Sequence, residues 1–180
     1  ILKQTGVKTF IIHARKAMLG KFTPKQNLNI PPLKYEYVYN LKKDFPNDEI
    51  IINGGITSVE EVKLQLKKTD GVMIGRAAYH TPYLLAEIEK EIFGNNNIPS
   101  RQHIIENLIP YIKKKIKKGT RLNQIMRHTL GLFHGQIGAS YWKRYLSENM
   151  CVRDADVKKI DHIMDKIKFD NFDRIVGQSV

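Results

Sequence analysis

Three short apolar runs, KTFII at 8–12, IIIN at 50–53 and GVMIG at 71–75, constrain the fold more than any other feature of the chain. Each is rich in β-branched or aromatic residues and none alternates with polar positions, the pattern of strands covered on both faces. Between the runs the periodicity changes. Residues 33–45 place Tyr35, Val38, Leu41 and Phe45 at helical spacing, and residues 58–68 place Val59, Val62 and Leu66 on one face. Ser58 stands where a helix N-cap belongs, with Glu61 three residues on to complete a capping box. Strand, helix, strand, helix, strand predicts a parallel sheet with helices packed on it, because parallel neighbours need a crossover. Three strands cannot close a barrel. A barrel therefore leaves most of its strands outside this sequence, and would expose Phe10, Ile12, Ile51 and Val72 on its inner face.

The strand pattern stops at GNNNIPS, 94–100, where the domain boundary is expected: an α/β part over 1–94 and a helical part over 95–180. Residues 103–118 carry Ile104, Leu108, Ile112 and Ile116 on one stripe, with Pro110 as an expected kink or break. Further helices are expected at about 123–134, 139–146 and 155–167. In the second of these Trp142 and Leu146 share a face while Lys143 and Arg144 turn to another. Trp142 reads as a core residue or as a stacking surface for RNA, the former being the commoner use of the side chain.

Charge is distributed unevenly. Of the formal +12, residues 101–150 carry 10 Lys/Arg against 2 Asp/Glu, whereas residues 151–180 carry 6 against 6. Two-thirds of the excess thus sits in one fifty-residue segment, the footprint of a polyanion-binding surface, with nucleic acid as the leading candidate. A solvated basic helix face is the plainer alternative for KKKIKK at 113–118. The single Cys151 excludes an internal disulfide framework, and no run approaches the roughly 20 apolar residues of a membrane span. A reducing, cytoplasmic setting without membrane attachment is expected. The opening ILKQTGVK starts at Ile1 rather than at a methionine and lacks the features of a signal peptide, so the chain is expected to be a piece of a longer one.

Parallel α/β folds collect function at the carboxyl ends of their strands. Here those ends read His13-Ala14-Arg15, Asn53-Gly54-Gly55 and Gly75-Arg76. Glycine lets a backbone N–H approach an anion, and an arginine can clamp one with two donors. Each motif by itself has a bland reading: a turn, a glycine-arginine pair after a strand, a hydrogen-bonded structural histidine. Their recurrence at equivalent positions of successive units points to a phosphate-bearing ligand. An isomerase or aldolase type of barrel, or a non-catalytic RNA-binding module made of the helical half, remains open at this level. No metal site is implied.

The stretches HARKAMLGKFTPKQNLNIPPLKYEYVYNLKKDFP, IINGGI, DGVMIGRAAYHTPYLL and RHTLGLFHGQIGASYWKRYLSEN, in this order, closely resemble the carboxyl-terminal half of the tRNA-dihydrouridine synthases, in spacing the synthase A subfamily. The resemblance covers about residues 8–150. It implies the carboxyl-terminal part of a (β/α)8 TIM barrel followed by an all-helical tRNA-binding domain. It also implies reduction of uridine to 5,6-dihydrouridine in the tRNA D-loop, with FMN as cofactor and NADPH as reductant. Carried over by position, His13, Asn53, Gly54, Gly55, Gly75 and Arg76 would bind FMN. Arg15, Lys16 and Lys25 would face the RNA from the α/β part, and Arg127, Lys143 and Arg144 from the helical part. Where the resemblance calls for an arginine this chain has Leu28, so a contact there is not carried over. The general-acid cysteine and a flavin-contacting lysine belong to the family's amino-terminal half, and Cys151 lies in a different motif. No catalytic residue is therefore expected within this chain, which should not turn over alone; the full-length protein is expected to be a monomer.

Overall fold

The computed structural model describes residues 5–151 and 157–166. The chain divides into two compact units, Ile1–Ala77 and Ala78–Val180. This division falls earlier than the turn cluster at 94–100, and Tyr83 shows why. Its ring lies 3.6 Å from the Arg101 guanidinium, its hydroxyl donates to the Pro99 carbonyl at 3.1 Å, and it is buried with the apolar residues of the second unit.

In the first unit β1 (Thr9–His13), β2 (Glu49–Asn53) and β3 (Gly71–Met73) form a parallel sheet in the order β1-β2-β3. Phe10 pairs with Ile50, Ile12 with Ile52, His13 with Asn53, and Asn53 with Met73. The strands are covered on one face rather than two. Ile50 and Ile52 are buried with Val38 of α2 (Tyr35–Asp44) and Val59 and Val62 of α3 (Val59–Leu66), whereas Ile11 is 56% and Met73 42% exposed. Because side chains alternate along a strand, the register puts Phe10, Ile12 and Val72 on the side of Ile50 and Ile52. The open face instead carries Ile11, His13, Ile51, Asn53 and Met73, which corrects the expected inner-face set of Phe10, Ile12, Ile51 and Val72.

The local signals at helix ends hold where they were read. Ser58 Oγ accepts from the Glu61 N–H at 3.2 Å and Glu61 reaches back to the Ser58 N–H, closing the capping box before α3. On α3, however, Gln65 is buried and Leu66 is 37% exposed, the reverse of the expected stripe. Gln65 tolerates burial because its Oε1 accepts from the Tyr39 hydroxyl at 2.7 Å. Asp70 fastens the sheet from below: its carboxylate accepts from the Ile50 N–H at 2.8 Å and pairs with Lys42 at 2.7 Å. Those two partners hold its pKa below the ordinary carboxylate value.

A five-residue helix, α4 (Arg76–His80), follows β3. The second unit then contains α5 (Leu84–Phe93), α6 (Arg101–Lys117), α7 (Leu122–Met126), a 3-10 turn (Arg127–Thr129), α8 (Ala139–Asn149) and α9 (Lys158–Lys166). Helix α6 runs through Pro110 without a break, an exposed position on a helix capped by Ser100 and anchored by Ile105 and Ile112. The helix expected at 123–134 ends at Met126 and gives way to turns containing Gly131 and Gly135. The one expected at 139–146 continues to Asn149. Of the expectation for 155–167, residues 155, 156 and 167 lie outside the described residues, Val157 is a turn and α9 occupies Lys158–Lys166. The core gathers Ile105, Ile112, Met126, Phe133, Trp142, Leu146, Ile160 and Ile163, all almost fully buried. No helix among the described residues is long and apolar enough to cross a membrane.

Candidate functional site at the carboxyl edge of the sheet

His13 and Asn53 stand side by side as the last paired residues of β1 and β2, and both lie on the open face. The sheet continues one residue further through the Ala14 N–H, which donates to the Asn53 carbonyl at 2.8 Å. Gly54 and Gly55 then turn the chain with φ of +128° and +69°, values that side chains strain to adopt. A Cβ on Gly54 would lie 2.9 Å from Leu33 and one on Gly55 2.5 Å from the same side chain. The pair therefore makes room for Leu33 as well as exposing backbone. The Tyr35 hydroxyl donates to the Gly54 carbonyl at 2.7 Å and locks the turn. Gly75 differs: a Cβ there would meet nothing within 4 Å, so the strand end before Arg76 borders open space.

The segment from Leu19 to Pro32 is less irregular than its sequence suggests. It contains a short helix, α1 (Pro24–Asn27), with Thr23 as N-cap and Gln26 completing a capping box. That Thr-Pro-Lys-Gln signal was present in the sequence. Two arginines converge on this segment. Arg15 Nη1 donates to the Asn29 carbonyl at 3.2 Å and also to that of Pro31, while Arg76 donates to Asn29 Oδ1 and, at 3.4 Å, to the Leu28 carbonyl. Leu28 thus contributes its backbone where its side chain offers no donor. Arg15 Nε is buried without a partner, and no carboxylate pairs with either guanidinium among the described residues. Asn29, which joins the two, carried no signal in the sequence, since its role depends on strand ends 14 and 47 residues away.

The electrostatics follow from this convergence. Burial first, then the charges of Arg15 and Arg76, push the His13 imidazole below its ordinary pKa of 6.5. As pH falls through 6.5 the unfolded chain takes up a proton that the folded chain still refuses, so His13 lowers stability progressively until its depressed folded value is passed. His13→Asn is expected to flatten that part of the stability profile. Urea midpoints of both proteins at pH 7.5, 6.5 and 5.5 check this, and identical slopes would exclude it.

Beside the site, a cavity of about 410 Å³ lies between the end of β1 and α2, lined by His13, Arg15, Lys16 and Lys34 among others. The structure thus brings together His13, Asn53, Gly54, Arg15 and Arg76, with Lys16 at the cavity and Lys25 exposed on α1. Arg127, Lys143 and Arg144 belong to the second unit. Lys143 and Arg144 are exposed on α8, opposite in character to the buried Trp142 and Leu146, and the Arg144 guanidinium sits 5.7 Å from the Tyr141 ring.

A parallel sheet crossed over by helices, with two guanidinia and an open glycine at its carboxyl edge, defines an α/β protein. The family is settled by comparison. Residues 1–168 match the family model described as Dihydrouridine synthase (Dus), and the chain belongs to that family. It is 46% identical over 170 residues to the tRNA-dihydrouridine(20/20a) synthase of Synechocystis sp., covering 94% of this chain and 51% of that protein. The protein of the same name in Haemophilus ducreyi is 47% identical over 156 residues, 86% of this chain and 48% of the relative. For that of Escherichia coli K12 the values are 48% over 156 residues, 86% and 45%. The chain spans about half the length of the curated relatives it matches.

Proposed function

We propose that the protein carrying this chain is a flavin-dependent tRNA-dihydrouridine synthase, and that this chain supplies the phosphate end of its flavin site and part of its tRNA grip. The observation that carries the proposal is the pair of guanidinia, Arg15 and Arg76, gathered beside His13 without a carboxylate partner among the described residues. Such a cluster is an energetic liability unless an anion offsets it. The residues fit an FMN phosphate: Gly75 borders open space, Arg76 offers a planar fork of donors, and the turn after Asn53 carries backbone N–H groups on residues without a Cβ of their own.

When bound, the flavin supplies the hydride that saturates the C5=C6 bond of a uridine, with NADPH as the source of electrons. This chain's own residues have other tasks. Gly54, Gly55, Gly75 and Arg76 hold the phosphate, and His13 and Asn53 border the flavin from the open face of the sheet. Burial first, and then the charges of Arg15 and Arg76, bias His13 toward its neutral form. Arg15, Lys16 and Lys25 hold tRNA phosphates at this end; Arg127, Lys143 and Arg144 do so on the second unit. The family resemblance assigns the proton for C5 to a cysteine outside this chain, and Cys151, exposed near Asn123 in the second unit, is not given that task. The chain alone therefore should not turn over. The reading includes a (β/α)8 barrel completed outside this chain, a helical tRNA-binding domain, a cytoplasmic setting and a monomer.

The test uses the complete gene product that carries this chain. It should bind FMN in preference to riboflavin and form dihydrouridine in tRNA with NADPH. Arg76→Ala is expected to weaken FMN roughly ten- to a hundredfold, the worth of a charge-assisted contact, while leaving riboflavin affinity unchanged. Equal affinities for FMN and riboflavin in the unaltered protein would overturn the phosphate assignment. A phosphate-bearing ligand bound without flavin would favour another barrel chemistry.

A further inference from the structure

A second cluster of rings and charge lies wholly within the second unit. The Tyr79 hydroxyl sits 2.9 Å from His128 Nδ1, with the two rings edge to face at 5.8 Å and 74°. The His80 ring meets Tyr79 in a similar geometry at 5.6 Å and 77°. On the far side of His128, Arg127 Nε donates to Nε2 at 3.2 Å. That bond fixes the direction of the whole relay. Arg127 Nε can only donate, so His128 Nε2 accepts, its Nδ1 carries the proton, and it donates to the Tyr79 oxygen. The Tyr79 O–H proton is then left with no acceptor among the described residues, on a side chain 54% exposed to solvent.

The cluster is held rigidly from behind. Trp142 Nε1 donates to the Thr129 carbonyl at 3.1 Å, and Thr129 Oγ1 donates to that of Met126 at 2.8 Å, which together fix the 3-10 turn bearing Arg127 and His128. Gly131 lies directly against the His80 backbone, fixing the end of α4 to the turn that follows. An exposed aromatic ring on a rigid support, with an outward hydroxyl donor and a guanidinium that pairs with no carboxylate among the described residues, matches what single-stranded RNA requires. Bases stack on the ring, carbonyls accept from the hydroxyl, and phosphates pair with the arginine.

We propose that Tyr79, His128 and Arg127 form a nucleotide-binding platform on the second unit, in which an RNA base stacks on Tyr79 and accepts its hydroxyl proton while Arg127 holds the adjoining phosphate. The net charge of +8 over residues 101–150 favours RNA over a protein partner. The proposal rests on the tRNA reading given above and adds to it a contact to a base. His128 is a positioning residue: it aims the Tyr79 hydroxyl and does not itself meet the RNA.

The test is binding of the full chain to tRNA across a range of salt concentrations. Tyr79→Ala is expected to weaken binding roughly tenfold at every salt concentration without changing the salt slope, because stacking releases no counterions. Tyr79→Phe, which keeps the ring, should lose only about two- to threefold, the worth of one neutral hydrogen bond. Arg127→Ala should lower the slope by roughly 0.7 to 0.9. Ultraviolet cross-linking of the unaltered chain to 4-thiouridine-substituted tRNA adds a readout that needs no variant: the tryptic peptide 77–90, which contains Tyr79, should carry the label. Binding with no label on that peptide, or Tyr79→Ala binding as the unaltered chain does, would overturn the platform and leave the tRNA reading standing. Failure of the unaltered chain to bind tRNA at all would overturn both.

Discussion

Gly131→Ala is expected to be among the most damaging single-methyl changes in the protein. A Cβ at this position would stand 1.9 Å from the His80 carbonyl oxygen and 2.7 Å from its carbon. Neither atom belongs to a side chain that could swing aside. The segment they sit on is held by the turn bonds Leu84 N–H to the Thr81 carbonyl at 3.0 Å and Leu85 N–H to that of Pro82 at 3.1 Å. On the other side, the Leu132 N–H donates to the Thr129 carbonyl at 3.0 Å, the same carbonyl that Trp142 holds. One added methyl must therefore displace two bonded stretches of backbone by more than an ångström. Overpacking of this kind costs about 3 kcal/mol, a large part of the ~5–15 kcal/mol that separates a domain from its unfolded state. Urea unfolding measures it directly. The variant should also lose the Tyr79 contribution to RNA binding, because the displaced segment carries α4. A midpoint unchanged from that of the unaltered chain would show that the backbones do not approach as described.

Trp142→Ala should cost as much or more. The indole is fully buried, meets Phe133 edge to face at 4.7 Å and 62°, and donates its one polar hydrogen to the Thr129 carbonyl. Truncating a buried tryptophan costs about 3–5 kcal/mol in lost contacts and cavity, and the orphaned carbonyl adds to that. Trp142→Phe separates the two contributions, retaining most of the apolar volume while removing the hydrogen bond, and should lose roughly 1–2 kcal/mol. A tryptophan that stacks on RNA at the surface would behave in the opposite way, with little loss of stability and a large loss of affinity. Calorimetric or urea unfolding beside an RNA titration decides between these outcomes. If Trp142→Ala unfolds within about 1 kcal/mol of the unaltered chain, the core role is wrong.

Both predictions concern contacts that sequence reading reached only halfway. That Trp142 and Leu146 share a face follows from helical spacing alone. That the indole N–H reaches Thr129, thirteen residues away across a turn, does not. The same limit applied to α3. Ser58 and Glu61 announced the helix start because a capping box closes within four residues, but the period put Leu66 on the buried face and the structure buries Gln65 instead. The choice fell to Tyr39, whose hydroxyl satisfies the amide.

The candidate site shows the limit most clearly. His13, the Asn53-Gly54-Gly55 turn and Gly75-Arg76 were legible as strand ends with donors, recurring after successive strands at the edge proposed as functional. The unpaired state of the arginines was not legible, nor was Asn29 as the residue on which both converge. Arg127 was expected to face RNA, but its link through His128 to Tyr79 left no trace, for those residues are up to 49 positions apart.

The sequence by itself determined the parallel strand-helix alternation, the capped start of α3, the basic segment and the family, because each is carried by neighbours a few residues apart or by motifs in unbroken order. The tertiary structure alone decided which face of the sheet is covered, where the two units divide, and which cations stand together. Those outcomes depend on register and on chain segments meeting across long separations, where the free energy of a contact is set by the packing of everything around it rather than by the residues that make it.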